Sequence, residues 1–217
     1  MKMRNPWQNV PLLDYEEHMK FPGVEQLQTL NHIVYEQLSD FDVGSVMILG
    51  IAGGNGLEHV NPGKIKKVIG IDVNDDYLAA CQKRYSALCD CLQLLNIDVS
   101  EPEALLPHSE LIIANMFLEY VDLQCFALKI AGCLPMYLSC TYQQENAACN
   151  SFVSTSPYTD AFSEISELHR TVEADGVIQE MSRIGMVLIK TKEYPLPNGK
   201  RFIRLDFAKE PERNGNS

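Results

Sequence analysis

Four glycines fall within Ile48-Leu49-Gly50-Ile51-Ala52-Gly53-Gly54-Asn55-Gly56-Leu57-Glu58-His59. Small residues at this density let a ligand approach the main chain within van der Waals contact, and Gly54 and Gly56 permit backbone angles closed to other residues. The run Val46-Met47-Ile48-Leu49 ahead of the loop reads as a buried parallel strand, the context a cofactor loop requires. A second strand pattern, Val68-Ile69-Gly70-Ile71, ends on Asp72, whose carboxylate can accept hydrogen bonds from both hydroxyls of a ribose. Asp98 holds the equivalent place after a third strand, Leu92-Gln93-Leu94-Leu95. There a carboxylate can take a hydrogen bond from an adenine amino group, with the Val99 N–H offered to a ring nitrogen. Each feature also has a plainer reading: a tight turn, a cap on the helix beginning at Asn74, and a loop acid before Ser100.

The elements that must hold these residues alternate. Residues 1–45 carry a helical pattern from Val24 to Leu38, preceded by Trp7, Tyr15, Glu16, Glu17 and His18. Asn74-Asp75-Asp76 caps a helix bearing Tyr77, Leu78, Cys81 and Tyr85 on one face, and Ser100-Glu101-Pro102-Glu103 reads as a capping box opening a short helix. Leu111-Ile112-Ile113-Ala114 is a fourth strand, Asp122 caps a helix ending at Gly132, and Cys133 to Cys140 is a fifth strand. Five alternations predict a parallel sheet covered on both faces. The end of the chain breaks the rhythm. A helix over Glu173–Ile184 leads to strands at Met186–Ile189 and Phe202–Leu205 around Asn198-Gly199, a strong hairpin signal. Between them, residues 142–166 form a polar stretch with the length of a lid.

Composition narrows the function. The chain has 217 residues, 46% hydrophobic and 22% charged, enough for a globular core in one domain with a small cap. Its net charge of -11 disfavours a nucleic-acid partner, and the basic run Lys64, Lys66, Lys67 reads as a solvated turn. No apolar run suits a membrane span and no secretory signal is evident. Seven scattered cysteines fit a reducing cytoplasm, and Cys89-Asp90-Cys91 lacks the partners of a metal site, so no metal is expected.

Taken with these motifs, residues 46–209 resemble the class I S-adenosylmethionine-dependent methyltransferases. The resemblance implies a Rossmann-like, seven-stranded, mostly parallel α/β sheet with an antiparallel C-terminal hairpin and helices on both faces. It implies S-adenosyl-L-methionine as cofactor, held by Gly50, Ile51, Ala52, Gly53, Gly54, Asn55, Gly56, Asp72, Val73, Asp98, Val99, Asn115 and Met116. The segment Ala114 to Asp122 is similar to the family's fourth motif, at the methyl-transfer site. Two positions depart from the pattern. The acid usual two residues before the first loop glycine is Gly50, and that glycine is Ala52, so the cofactor's amino group has no assigned partner.

Methyl transfer from a sulfonium rests mainly on positioning and exclusion of water, so no catalytic triad is required. Where a base is needed, Glu119, Tyr120 and Tyr142 are candidates; Tyr15, His18 and Tyr35 are candidate substrate contacts. The expectation is a cytoplasmic enzyme methylating a small molecule, with residues 1–45 and 142–166 capping the acceptor and 210–217 a polar tail. Two rivals share the same loop: a non-catalytic cofactor-binding regulatory module and a protein methyltransferase. A nicotinamide dehydrogenase fits less well, because the GxGxxG spacing is absent. Oligomeric state is not legible.

Overall fold

The computed structural model describes residues 5–133, 135–145 and 152–211. Helices α1 (Leu12–Lys20) and α2 (Gln26–Asp40) precede β1 (Ser45–Leu49), β2 (Lys67–Asp72), α3 (Asp75–Arg84), β3 (Leu92–Asn96) and β4 (Leu111–Asn115). Then come α4 (Leu123–Cys133), β5 (Tyr137–Gln144), α5 (Ala174–Arg183), β6 (Met186–Pro195) and β7 (Arg201–Lys209). The strands form one sheet in the order β3-β2-β1-β4-β5-β7-β6. Only β7 runs against its neighbours, inserted between β5 and β6. The expected architecture is the observed one.

Alternate residues of the central strands serve two cores. Val46 and Ile48 of β1 pack with Val34 and Leu38 of α2 and Leu78 and Cys81 of α3. Met47 and Leu49 face the other way, toward Phe126 and Ile130 of α4 and Val177 and Met181 of α5. Such strands are apolar at every position because both faces are covered. Each fully buried aliphatic side chain contributes roughly 1.5–3 kcal/mol.

The caps act as expected. Asn74 Oδ1 accepts the Asp76 and Tyr77 amides at 3.0 and 3.3 Å, and Asp122 Oδ1 accepts those of Gln124 and Cys125 at 3.1 and 3.0 Å. Lys64 is tied to the Phe41 carbonyl beside Asp42, at a turn.

Three expectations are corrected: the helix after Ser100, the bounds of the fifth strand and the place of Tyr142. No helix follows Ser100. Its hydroxyl donates to Asp98 at 2.6 Å instead of capping, and Lys129 of α4 ties off the carbonyls of Glu101 and Ala104 that a helix would have used. The connection from β1 to β2 holds only one 3₁₀ turn, Leu57–His59. The fifth strand is shifted by four residues, because Cys133 completes α4 and Pro135 separates it from Tyr137. Tyr142 consequently lies in β5, paired with Ile203, not in a lid. Helix α1 was not foreseen because only His18 and Met19 of it are buried, which leaves no apolar stripe. Of the supposed lid, residues 146–151 lie outside the described part, as do 212–217 of the tail.

Candidate functional site

The carboxyl ends of β1, β2 and β4 open onto a cleft of about 720 Å³, its open mouth included. Open α/β sheets bind ligands at this edge, where the strand order reverses. Of the residues expected to hold a cofactor, Gly50, Ala52, Asp72, Val73, Asp98, Val99, Asn115 and Met116 line it.

Asp72 organises the floor. Its Oδ2 accepts the Ala52 amide at 2.9 Å and its Oδ1 the Asn74 amide at 3.0 Å, so one carboxylate joins the glycine loop to the start of α3. Burial raises its pKa, and the amides of Asn74 and Ala52 offset part of that. Two carboxylate oxygens offer about four acceptor positions, so capacity remains for a ligand. Beside it, Tyr77 lines the cleft with a buried hydroxyl that has no hydrogen-bond partner among the described residues. An orphaned buried hydroxyl costs about 1–3 kcal/mol.

Position 50 would strain any side chain. Gly50 sits at φ +67°, and a Cβ there would come within 3.1 Å of the Phe117 ring. Two non-glycine residues at the cleft also occupy the left-handed region, Ala52 at φ +48° and Met116 at φ +52°. That conformation costs roughly 1–2 kcal/mol for a residue with a Cβ, the kind of local strain that collects at functional sites.

The rest of the loop shapes the turn without lining the cleft. Ile51 packs into the sheet core, and Asn55 bonds the Leu27 carbonyl and Asn31 across α2. Gly53 lies under the Arg84–Glu16 ion pair, Gly54 against Tyr85 and Cys81, and Gly56 against Val34.

Asn115 is held from behind. Its side chain exchanges two hydrogen bonds with Gln37 of α2, at 2.8 and 2.9 Å. Gln37 also donates to Ser139 at 2.8 Å; Ser139 donates to Asp206 at 2.6 Å, and Asp206 pairs with the fully buried Arg204. No pattern in the sequence marked Gln37.

The chain ahead of α1 covers the cleft. Asn5 Nδ2 donates to Asp98 Oδ2 at 3.0 Å, Gln8 to the Val73 carbonyl at 3.1 Å, and Asn74 to the Trp7 carbonyl at 3.0 Å. The Trp7 ring meets Tyr120 edge-on at 5.0 Å. Asn5, Trp7, Tyr77 and Phe117 are cleft residues that pattern reading missed; Asn5 and Trp7 lie far from any motif in sequence.

A second chamber, about 490 Å³ with its open mouth included, adjoins the first and shares the walls Trp7, Tyr15, Met116 and Tyr120 with it. His18 lines this chamber, with Nδ1 2.7 Å from Ser156 Oγ; burial pushes its pKa down to about 4, with Lys200 adding to the shift. His169 lines it too, stacked on Phe152 at 4.0 Å.

Three proposed residues line neither space. Glu119 is buried beneath Tyr120, where its Oε1 accepts the Gln143 amide at 2.8 Å and its Oε2 has no partner; burial pushes its pKa up to about 7. Tyr142 belongs to the sheet core. Tyr35 is exposed on α2, beside His32 and His59. They miss both spaces because β5 and the turn after β4 bury Tyr142 and Glu119, while α2 turns Tyr35 to the surface. Among the described residues no cluster of His, Cys, Asp or Glu could hold a metal ion, and no helix is long and apolar enough to cross a membrane.

No family model and no characterised protein matches the chain by sequence. Solved structures do match it. Magnesium protoporphyrin IX methyltransferase of Synechocystis, with bound S-adenosylhomocysteine, aligns with a TM-score of 0.69 and 11% identity over 95% of this chain and 98% of that one. The N-methyltransferase NodS of Bradyrhizobium japonicum, also in complex with S-adenosylhomocysteine, gives 0.66 and 14% over 94% and 100%. A 4+2 cyclase gives 0.61 and 12% over 84% and 81%. At these identities the likeness is one of fold. The chain has the fold of the class I S-adenosylmethionine-dependent methyltransferases, and the cyclase shows that this fold alone does not fix a reaction.

Proposed function

We propose that the chain is an S-adenosylmethionine-dependent methyltransferase acting on a small molecule. The observation that carries this reading is the pairing of Asp72, fastened to the loop through Ala52, with the unpartnered Tyr77 hydroxyl in the same cleft. A ribose offers hydroxyls that suit both. Asp98, at the far end beside Val99, suits an adenine amino group, and Gly50, Ala52, Val73, Asn115 and Met116 would form the remaining walls. Ile51, Gly53, Gly54, Asn55 and Gly56 would act by holding the loop's shape. With Phe117 against Gly50, loop carbonyls and Asn115 are left to meet the cofactor's amino end.

When bound, the cofactor supplies an electrophilic methyl group. The chain's own contribution is to orient an acceptor beside it and exclude water, a role for Trp7, Tyr15, Met116 and Tyr120, which wall both spaces. The second chamber, its open mouth included, has room for a small-molecule acceptor.

The test is calorimetric titration with S-adenosylmethionine, S-adenosylhomocysteine and NAD, followed by transfer of a radiolabelled methyl group to metabolite pools and peptide arrays. The expected result is heat with the first two ligands and label in the small-molecule pool. Absence of heat with either sulfur ligand overturns the reading. Heat without label transfer supports the non-catalytic alternative.

A further inference from the structure

The second chamber is lined by no Lys, Arg, Asp or Glu among its described residues. Three ionisable groups lie behind its walls, Glu145 among them, close enough to act on His169. Lys200 donates to the Phe152 carbonyl at 2.8 Å, and Glu119 is bonded to the Gln143 amide, with burial favouring its protonated form. A carboxylate or phosphate would find no lining cation. An ammonium would find no lining anion, and the Lys200 ammonium stands behind Phe152. An uncharged occupant is the one this wall favours.

The lining also prefers flat rings. Trp7 and Tyr120 meet edge-to-face, His18 tilts against Phe162 at 4.6 Å, and His169 stacks on Phe152. Aromatic faces reward a ring that can stack or meet them edge-on by about 0.5–1.5 kcal/mol per pair. The space suits one or two rings.

Its polar groups are unequally engaged. Gln26 donates to Gln143 at 2.5 Å and Gln143 to the Phe152 carbonyl at 2.9 Å. His18 is occupied at Nδ1 by Ser156. The phenols of Tyr15 and Tyr120 are held protonated by burial. His169 makes ring contacts but no hydrogen bond among the described residues. Burial and then Lys200 lower its pKa against the opposing pull of Glu145, so the imidazole is neutral at neutral pH.

We propose that this chamber receives a flat, uncharged aromatic hydroxyl compound of one or two rings, and that His169 takes the hydroxyl proton as the oxygen is methylated. The inference rests on the methyl-transfer reading. The acceptor's O–H bond breaks and its proton passes to a His169 ring nitrogen. An oxygen electron pair forms the bond to the methyl carbon, while the carbon–sulfur pair stays on sulfur. A cationic sulfonium and a neutral alcohol thus become a neutral thioether, an aryl methyl ether and a protonated imidazole.

Trp7, the chain's one tryptophan, stands in the wall shared by both spaces, so its fluorescence reports either ligand. S-adenosylhomocysteine is titrated first; a flat trace there sinks the parent reading and not the chamber's ligand class. Naphthols are then compared with naphthoates, naphthylmethylammonium and linear alcohols. Naphthols are expected to quench at concentrations about tenfold lower than their charged counterparts, the cost of an uncompensated charge being well above 1.4 kcal/mol. Equal or tighter binding by a charged or linear compound overturns the assignment.

His169→Gln separates proton transfer from packing. It should bind naphthol within about threefold of the unaltered protein, which also shows that it folds. Its methylation rate should fall about a hundredfold with simple phenols but only a few-fold with nitrophenols already ionised at pH 8, in line with general-base catalysis. Equal losses for both acceptors, or none, overturn the role of His169.

Discussion

The two spaces that share Trp7 and Tyr120 are built on different principles. The cleft is made of backbone: a loop with four residues at positive φ, strand ends, and one carboxylate clasped by two amides. The second chamber is made of side chains, chiefly aromatic, drawn from residues 7 to 169. Main-chain geometry is dictated by short stretches such as Gly50 to Gly56, whereas a side-chain lining needs only that the right atoms arrive from anywhere. The first design would suit one invariable ligand, and the second an occupant set by the side chains that happen to meet there.

Asp72→Ala strikes the first space hardest. It removes a charge-assisted acceptor and frees the Ala52 amide, so S-adenosylhomocysteine affinity should drop about a hundredfold, roughly 3 kcal/mol, by calorimetry. Naphthol binding should be nearly unchanged; if both fall together, the two spaces are not separable.

Glu119→Gln probes the floor between them. The carboxyl ionises near pH 4.5 when unfolded and about 7 when folded, so the folded chain holds the extra proton in that window. Its stabilising contribution is present below pH 4.5 and lost as pH rises through 7, at most about 3 kcal/mol. The glutamine variant keeps an acceptor for the Gln143 amide and should melt higher than the parent at pH 8 but not at pH 4.5. A uniform shift at both values would argue against a protonated Glu119.

Gln37→Leu leaves the Asn115 carboxamide unpaired behind the cleft. Denaturant unfolding should show a loss of about 1–3 kcal/mol, with cofactor affinity falling more than naphthol affinity. The smallest effect is expected of Ala52→Gly. Relief of the left-handed backbone and the greater freedom of glycine in the unfolded chain nearly cancel, for a net change within about 1 kcal/mol.

This contrast also decides what was legible in advance. The loop, Asp72, Asp98, the Asn74 cap and the Asn198-Gly199 hairpin are local codes, and each was readable from a handful of neighbouring letters. Their succession predicted a parallel sheet ending in a hairpin, and the inserted antiparallel strand came from the family resemblance. Illegible were features whose cause lies across the fold. Phe117 closes position 50 from 67 residues away along the chain. Ser100 looked like a cap, but Asp98 takes its hydroxyl. Tyr142 and Tyr35 were plausible by type and excluded by facing, while His169 and Gln37 carried no local mark at all.

The bond from Asn5 to Asp98 spans 93 residues. Closing so long a loop costs entropy that its few polar contacts repay only after β2, α3 and β3 are in place. A ligand amino group that donates to Asp98 would share that carboxylate with Asn5 or displace it.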